Sequence, residues 1–263
     1  YTSDGAGNAT VNLGYEPQWV LVKAAGTTSD WFLWDTMRGL NMTNDSPLYP
    51  NTSAAESTSI ADRIDPTATG FNMKGFVAFN TQFIYIAIRR GPMKVPTDAT
   101  KVFAPVTATG NALITTNFPV DSAWLDDRSG GSTLITDRLR GSSQTYYNNL
   151  ATTSTSAENT GTGAGLGFDN NTGYQMNGWA GPTQPTIAWN WRRAPSFFDE
   201  VCYTGTGTNN RPIQHNLTVA PELIIAKSRN DVNSWGVYAA SQGSSKYAYL
   251  NFTTAFQTDS TVW

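Results

Sequence analysis

The sequence Pro17-Gln18-Trp19-Val20-Leu21-Val22-Lys23 is a short apolar run between a proline and a lysine. Its length and its β-branched and aromatic content are typical of one strand of a sheet. Two further runs have the same character, Leu223-Ile224-Ile225-Ala226-Lys227 and Phe83-Ile84-Tyr85-Ile86-Ala87-Ile88-Arg89. Because Gly, Pro and Thr separate these runs and no long window carries a helical stripe, the sequence predicts an all-β protein.

The run at residues 17–23 has a counterpart at residues 221–227 and a weaker one at residues 120–126. Other blocks keep a spacing of about 102 residues, since residues 34–39 align with residues 136–141, and Glu56 aligns with Glu158. Units of this length fit separate β-sandwich domains rather than solenoid repeats. We therefore predict tandem antiparallel β-sandwich (jelly-roll) domains in a first segment (1–98), a second segment (99–198) and a partial third segment (199–263). We expect the chain to continue past residue 263.

Composition excludes several classes of protein. Charged residues make up 14% of the chain and the net charge is −3, so no basic surface exists to neutralise phosphates, and we expect no nucleic-acid partner. No apolar run approaches the length of a membrane span, and we expect no membrane insertion. The single cysteine, Cys202, and the single histidine, His215, exclude an internal disulfide and a His-rich metal site. We predict neither a metal nor a cofactor.

The candidate catalytic groups have simpler structural interpretations. His215 lacks a second histidine, and we expect Cys202 to pack as a small apolar residue. The carboxylate pairs Asp126/Asp127 and Asp199/Glu200 are candidate glycosidase pairs, but adjacent residues on a strand point to opposite faces. The sequence therefore predicts no catalytic residue.

Two polar stretches resemble ligand loops but favour turns. Asp169-Asn170-Asn171 offers oxygen ligands suited to calcium, yet Asp-Asn-Asn-Thr-Gly is first of all a turn sequence. The glycine-rich run at residues 161–167 has neither the lysine nor the helix of a phosphate-binding loop. We interpret both as surface loops.

Charged residues are scarce in this chain, so those that recur at matching places in the repeats indicate a structural role. We predict that they form salt bridges within each domain and hold loops to the sandwich. The residues concerned are Asp35, Arg38, Arg90, Asp137, Arg140 and Arg193.

Alternation with a period of two predicts which face of the closing strands is buried. In each strand, one face carries the larger apolar side chains, and we expect that face to point into the core. The residues of this face are Ile84, Ile86 and Ile88 in the first segment and Ile187, Trp189 and Trp191 in the second.

Four aromatic residues are candidates for binding a glycan: Trp31, Trp34, Trp235 and Tyr238. Aromatic faces stack on sugar rings, and Asn, Thr and Ser supply neutral hydrogen bonds to hydroxyl groups. The alternative is that these tryptophans fill the cores, since tryptophan is usually well buried.

The blocks at residues 203–208, 213–217, 220–229 and 235–238 together resemble a repeat of tailed-bacteriophage virion proteins. Those proteins are tail-fibre-like and other surface proteins with concanavalin A-like or laminin-G-like jelly-roll domains. The resemblance is strongest across residues 201–263, clear across 1–92 and degenerate across 103–195, where Val120 and Asp126 replace the proline and lysine of the first run. It implies a jelly-roll fold on a virion surface and transfers no catalytic signature.

We therefore expect a non-enzymatic virion surface protein. The first hypothesis is an attachment protein that binds a host surface glycan. The second is a structural decoration of capsid or tail without a ligand, and the third is a glycan hydrolase. The partners expected are other virion proteins, a host glycan and further copies of the same chain.

Overall fold

The computed structural model describes residues 1–38, 44–57, 60–76, 80–89, 94–141, 146–162, 165–178 and 184–259. Strands make up 42% of the described residues and helices 3%. The helical residues form two short 3-10 turns, Ala99–Lys101 and Ala240–Gln242. The predicted all-β fold with antiparallel sheets is therefore confirmed. Within the described ranges no helix has the length and apolarity needed to cross a membrane.

The first segment is a sandwich of two three-stranded sheets, ordered β1-β7-β6 and β3-β2-β8, with a small β4-β5 pair beside them. Val20, Val22 and Trp34 from one sheet pack with Ile64 and Phe71 from the other, and all five are fully buried. The strands are β1 (Ala9–Asn12), β2 (Pro17–Ala24), β3 (Trp31–Asp35), β4 (Asn44–Asp45), β5 (Ile60–Ala61), β6 (Ile64–Thr67), β7 (Gly70–Met73) and β8 (Phe83–Arg89).

The second segment is a larger sandwich with its own core. A six-stranded sheet, ordered β14-β13-β12-β11-β17-β9, faces a three-stranded sheet, ordered β10-β16-β15. Leu125 and Ala188 from the large sheet pack with Ile114, Leu166 and Tyr174 from the small one. The strands are β9 (Phe103–Thr109), β10 (Leu113–Thr115), β11 (Ser122–Asp127), β12 (Leu134–Asp137), β13 (Tyr146–Ala151), β14 (Asn159–Thr162), β15 (Gly165–Asn170), β16 (Gly173–Asn177) and β17 (Pro185–Trp191).

The two sandwiches have corresponding strand orders. The order β3-β2-β8 in the first segment corresponds to β12-β11-β17 in the second, and β1-β7-β6 corresponds to β10-β16-β15. A glycine stands at the same crowded place in both. A Cβ added at Gly70 would lie 1.8 Å from the carbonyl oxygen of Val11, and one added at Gly173 would lie 1.8 Å from that of Ile114. These shared features are what two copies of one sandwich would have.

The third segment forms one four-stranded sheet, which lies against the second segment. Trp235 and Ile225 pack on Ile135 and Leu150 of the large sheet. The indole N–H of Trp235 donates to the carbonyl oxygens of Ala151 and Ser154, both at 3.1 Å. The strands are β18 (Leu223–Ala226), β19 (Gly236–Ala239), β20 (Lys246–Tyr249) and β21 (Gln257–Thr258).

The predicted core face of β8 is wrong. Ile84, Ile86 and Ile88 are 51%, 56% and 47% exposed, and it is Phe83 at the start of the strand that enters the core. Both faces of β8 carry large apolar side chains, because Phe83 and Tyr85 alternate with the isoleucines. Alternation shows that the two faces differ, but it does not show which of two apolar faces points inward.

The matching prediction for β17 is also wrong. Thr186, Ala188 and Asn190 are fully buried, while Ile187, Trp189 and Trp191 are half-buried on the opposite face. Small side chains suffice on the core side because Phe118, Phe168 and Tyr174 already fill that core. The amide of Asn190 donates to the carbonyl oxygens of Ala104 (2.9 Å) and Ala188 (3.2 Å), which offsets the cost of burying it.

Candidate functional site

An aromatic cleft of about 610 Å³ lies where the third segment meets the large sheet of the second. Its floor is the outer face of β11 and β17, and its opposite wall is the loop at residues 250–253 that follows β20. We call it the tryptophan cleft. Its lining residues are Trp124, Thr133, Thr152, Thr153, Trp189, Trp191, Leu250, Asn251, Phe252 and Thr253.

The sheet fixes the positions of the three tryptophans. Trp124 on β11 lies directly opposite Trp189 on the antiparallel neighbour β17. Trp189 and Trp191 share a face because alternate side chains of a strand point the same way. The ring centroids of Trp124 and Trp191 are 5.3 Å apart with an interplanar angle of 56°. These rings form a continuous apolar floor on rigid strands.

The opposite wall is held by the buried Trp235. The side-chain oxygen of Asn251 accepts a hydrogen bond from the backbone N–H of Trp235 at 2.9 Å. The backbone N–H of Leu250 donates to the carbonyl oxygen of Trp235 at 3.0 Å. Leu250 and Phe252 are 40% and 51% exposed. The same tryptophan that anchors the third segment therefore sets the spacing of the cleft.

The cleft is electrically neutral. None of the described residues that line it carries a charge, and its polar side-chain groups are threonine hydroxyls, the amide of Asn251 and the indole N–H groups of the tryptophans. Hydroxyls and amides can both donate and accept hydrogen bonds. Together with the aromatic floor, they suit a neutral ligand that has apolar faces and several hydroxyl groups.

Two of the four residues predicted to bind a glycan are buried, and for these the prediction is wrong. Trp34 is fully buried in the first core, where its ring lies 5.7 Å from that of Phe32. Trp235 is only 3% exposed because it fills the junction of the second and third segments. Neither ring is accessible to a sugar. Trp31 and Tyr238 are half-buried and lie outside the cleft lining.

The sequence did not predict the cleft, because the alternation rule assigned Trp189 and Trp191 to the core. A signal for it was present in the sequence. Trp189 and Trp191 alternate along one strand, and Trp124 falls in the block that aligns with the first strand run. The far wall at residues 250–253 carries no such signal, since its position depends on how the third segment packs.

The predicted pairs within the sandwiches are formed. Arg38 Nε lies 2.7 Å from Asp35 Oδ2, and Arg38 Nη1 lies 3.0 Å from Glu56 Oε1. In the second segment Arg140 contacts Asp137, and its Nη1 lies 3.5 Å from Glu158 Oε2. Each arginine thus joins an aspartate three residues before it to a glutamate in a later loop. Arg90 lies outside the described residues.

Arg193 differs from its prediction, because its guanidinium pairs with carboxylates of two other segments. Its guanidinium pairs with Glu16 of the first segment, with Nη1 2.6 Å from Oε1 and Nη2 2.8 Å from Oε2. Its Nε lies 2.7 Å from Asp199 Oδ1. Burial opposes the charge of Arg193, but hydrogen bonding to Glu16 and the surrounding carboxylates outweigh it and raise the arginine's pKa. Arg193 therefore joins segments rather than securing a loop.

A second buried charge cluster joins the second and third segments. Arg229 holds Glu158 by two hydrogen bonds, of 2.7 and 2.8 Å. Nearby, burial and the negative charge of Asp137 raise the pKa of Glu200 well above its ordinary value. Burial also opposes ionisation of Asp137, but Arg140 and a hydrogen bond with Glu200 outweigh it and lower the pKa of Asp137. The pKa values of these two neighbouring carboxyl groups are thus shifted in opposite directions.

The groups considered for catalysis are buried or are held by hydrogen bonds and ion pairs of the surrounding structure. Burial raises the pKa of the Cys202 thiol to about 12, which keeps it protonated at neutral pH. His215 is exposed, and its Nδ1 accepts from the backbone N–H of Leu217 at 3.2 Å. Asp127 accepts from the backbone N–H of Ser129 at 2.8 Å, within its own turn. Asp199 is held by Arg193.

The polar loops contribute no site to the described part of the chain. In that part, no group of three or more His, Cys, Asp or Glu residues is arranged to hold a metal ion. The side chain of Asp169 lies outside the described residues, as does part of the glycine-rich loop.

The two lysines that end the matching strand runs, Lys23 and Lys227, each donate hydrogen bonds to the loop that follows their strand. Lys23 Nζ donates to the carbonyl oxygens of Ala24 (2.8 Å) and Thr27 (3.4 Å). Lys227 Nζ donates in the same pattern to those of Ser228 (2.7 Å) and Asp231 (3.2 Å). Each ammonium group closes the loop that follows its strand.

A family model described as a domain of unknown function (DUF7483) matches residues 1–92 and 98–263. No curated protein and no solved structure matches the chain.

Proposed function

The chain belongs to the DUF7483 family, whose function is unknown, and we propose that it is a non-enzymatic virion surface protein that attaches to a neutral host glycan through the tryptophan cleft. The single observation that carries the glycan assignment is the neutral cleft lined by Trp124, Trp189 and Trp191. The virion assignment is carried by the resemblance of residues 201–263 to surface proteins of tailed bacteriophages.

The chemistry of the cleft supports a sugar as the ligand. The axial C–H bonds of a pyranose form apolar faces that stack on aromatic rings, while its hydroxyls need donors and acceptors at the rim. Trp189 and Trp191 supply the rings, and Thr152, Thr153 and Asn251 supply the polar groups. A volume of about 610 Å³ lies within the usual size range of small-molecule sites.

The shape of the cleft supports weak binding at each site. Leu250 and Phe252 remain partly exposed at the mouth, so a ligand would be covered on one side more than on the other. Weak sites become effective when several act together, and linkage raises avidity by roughly 10² to 10⁴ where geometry permits. A virion surface that displays many copies would provide that linkage.

A glycan array tests the proposal when it compares the isolated protein with protein clustered on beads. We expect signals on neutral glycans that are stronger for the clustered form. The Trp189→Ala variant removes one ring of the cleft floor and should lose at least about tenfold in signal. Tyr203→Ala is the matched control, since Tyr203 is an exposed aromatic residue outside the cleft. Equal signals for both variants, or a silent array in both formats, would contradict the glycan assignment.

An assay for released reducing sugar on the same glycans separates attachment from hydrolysis. The attachment proposal predicts no release. Release that is lost when one carboxylate, such as Asp126 or Asp127, is replaced by its amide would support the hydrolase hypothesis instead.

A structural decoration without a ligand is the second candidate, and one observation favours it. The isoleucines of β8 form an exposed apolar stripe that suits contact with another protein. A silent glycan array together with stable self-association would favour decoration over attachment.

A further inference from the structure

The outer face of the sheet β3-β2-β8 in the first segment is apolar. Ile84, Ile86 and Ile88 of β8 are about half exposed. By register, Leu21 of β2 lies between Ile86 on one side and Leu33 of β3 on the other. We call this surface the first outer face. Exposed apolar surface of this kind on a sheet usually marks an interaction site.

The charges on the first outer face are already engaged within the chain. Lys23 Nζ donates to backbone carbonyl oxygens of its own loop, at 2.8 and 3.4 Å. Asp35 pairs with Arg38 at 2.7 Å. The face can therefore be covered without leaving these two charged groups unpaired.

The matching faces of the second and third segments are packed on each other. From the third segment, Trp235 and Ile225 contribute, and from the second, Ile135 and Leu150, with Trp124 beside them. Trp235 acts as a knob. The neighbouring pair Ile135 and Leu150, together with the carbonyl oxygens of Ala151 and Ser154, acts as its socket.

The first outer face carries the knob. Trp31 lies opposite Lys23 on the neighbouring strand, and its backbone N–H donates to Asn51 Oδ1 at 2.9 Å. The backbone N–H of Trp235 likewise donates to Asn251 Oδ1 at 2.9 Å. Trp31 and Trp235 therefore share one anchoring contact, a backbone N–H donated to an asparagine side chain.

The first outer face also carries the socket. Leu33 and Leu48 exchange backbone hydrogen bonds of 2.9 and 3.0 Å, and so form a neighbouring pair like Ile135 and Leu150. The turn that follows is the same in both segments. Thr52 N–H donates to Tyr49 O at 3.0 Å in the first, as Ser154 N–H donates to Ala151 O at 3.1 Å in the second.

We propose that the first outer face binds the same face of a second copy of this chain, forming a two-fold symmetric dimer. In it, Trp31 of each copy packs against Leu33 and Leu48 of the other, as Trp235 packs against Ile135 and Leu150 within the chain. A surface that carries both knob and socket is self-complementary, which is what a two-fold interface requires. A net charge of only −3 opposes the pairing weakly.

This dimer is independent of the glycan proposal, because the two surfaces lie on different segments. If both hold, each dimer carries two tryptophan clefts.

The test is the mass in solution of the full chain at micromolar concentration, measured by light scattering after gel filtration and by sedimentation equilibrium. The expected mass is twice the 28.5 kDa of one chain. Ile86→Lys places a charge at the centre of the first outer face, and by symmetry places two in the dimer. Because Ile86 is 56% exposed in the single chain, this variant should fold normally, which circular dichroism and the thermal midpoint would show.

Leu113→Lys is the matched control. Leu113 is 57% exposed and lies on β10, away from the first outer face. We expect the control to remain dimeric, and Ile86→Lys and Trp31→Ala to weaken the dimer by at least about tenfold in dissociation constant. A wild-type chain that is monomeric at these concentrations, or a dimer that survives Ile86→Lys unchanged, would overturn the proposal.

Discussion

Arg193 and Glu16, 177 residues apart in sequence, form a buried two-pronged ion pair with N to O distances of 2.6 and 2.8 Å. Glu16 comes directly before β2 of the first segment, and Arg193 follows β17 of the second. Their side chains are 6% and 4% exposed. The contact fixes the first segment to the end of the second.

Removing one partner of this pair should be costly. Glu16→Ala leaves the charge of Arg193 buried beside fewer carboxylates, and we expect a loss of about 3–5 kcal/mol in the free energy of unfolding. Urea unfolding followed by tryptophan fluorescence measures it. Glu56→Ala is the control, because Glu56 pairs with Arg38 but is 38% exposed, and we expect about 1 kcal/mol or less. Similar losses in the two variants would contradict the account of the junction.

The first and second segments should superpose as two copies of one sandwich. The residues that test it are the two charged triads, Asp35/Arg38/Glu56 and Asp137/Arg140/Glu158. In a crystal structure, superposing β2, β3 and β8 on β11, β12 and β17 should bring each residue of one triad onto its counterpart. Triads that fall at different places on the two sheets would exclude the repeat.

Trp34 lies on the buried face of the sheet β3-β2-β8 and Ile86 on its exposed face, so truncating the two side chains should reduce stability by very different amounts. Trp34→Ala empties a fully buried site and should cost about 3–5 kcal/mol. Ile86→Ala removes an exposed side chain and should cost less than about 1 kcal/mol when measured at a concentration where the chain is monomeric. Denaturant melts of both variants decide it. A larger loss for Ile86→Ala than for Trp34→Ala would mean that the isoleucine face of β8 is the buried one.

The raised pKa of the buried Asp45 leads us to expect that the free energy of unfolding falls as the pH rises. Burial raises the pKa of its carboxyl group from 3.8 to about 7. Because the folded state holds the proton more tightly than the unfolded state, the stabilisation is complete below about pH 4 and is lost as the pH rises through about 7. A tenfold difference in proton affinity between the two states corresponds to about 1.4 kcal/mol.

The measurement is the free energy of unfolding in urea at pH 5 and pH 8, for the wild type and for Asp45→Asn. Glu200 also titrates with a raised pKa, so the difference between the two proteins isolates Asp45. We expect the wild type to lose on the order of 2–4 kcal/mol more than the variant between the two pH values. An identical pH dependence would contradict the burial of a protonated Asp45.

The strands could be predicted from sequence, and their faces could not. The runs at 17–23 and 83–89 and residues 223–226 of the third run are strands in the structure, because apolar β-branched residues bounded by turn residues favour extended backbone. The burial of β8 and β17 depends on what covers each face. The outer face of β12 is covered by Trp235, which lies just before β19 about a hundred residues later, and no local pattern encodes that contact.

The same limit applies to the candidate site. Its floor of tryptophans is visible in the sequence as alternation along one strand. Its far wall and its depth arise only when residues 250–253 are held beside that strand by the hydrogen bonds of Trp235. The local β-strand propensity of residues 250–253 does not predict such contacts between distant segments.

Calorimetric titration measures whether a neutral glycan binds in the tryptophan cleft. The wild type, Trp189→Ala and Tyr203→Ala are titrated with the neutral glycan that gives the strongest array signal. We expect saturable binding by the wild type and by Tyr203→Ala, and at least about tenfold weaker binding by Trp189→Ala, a loss of about 1.4 kcal/mol or more. Equal affinity of all three proteins for that glycan would contradict it.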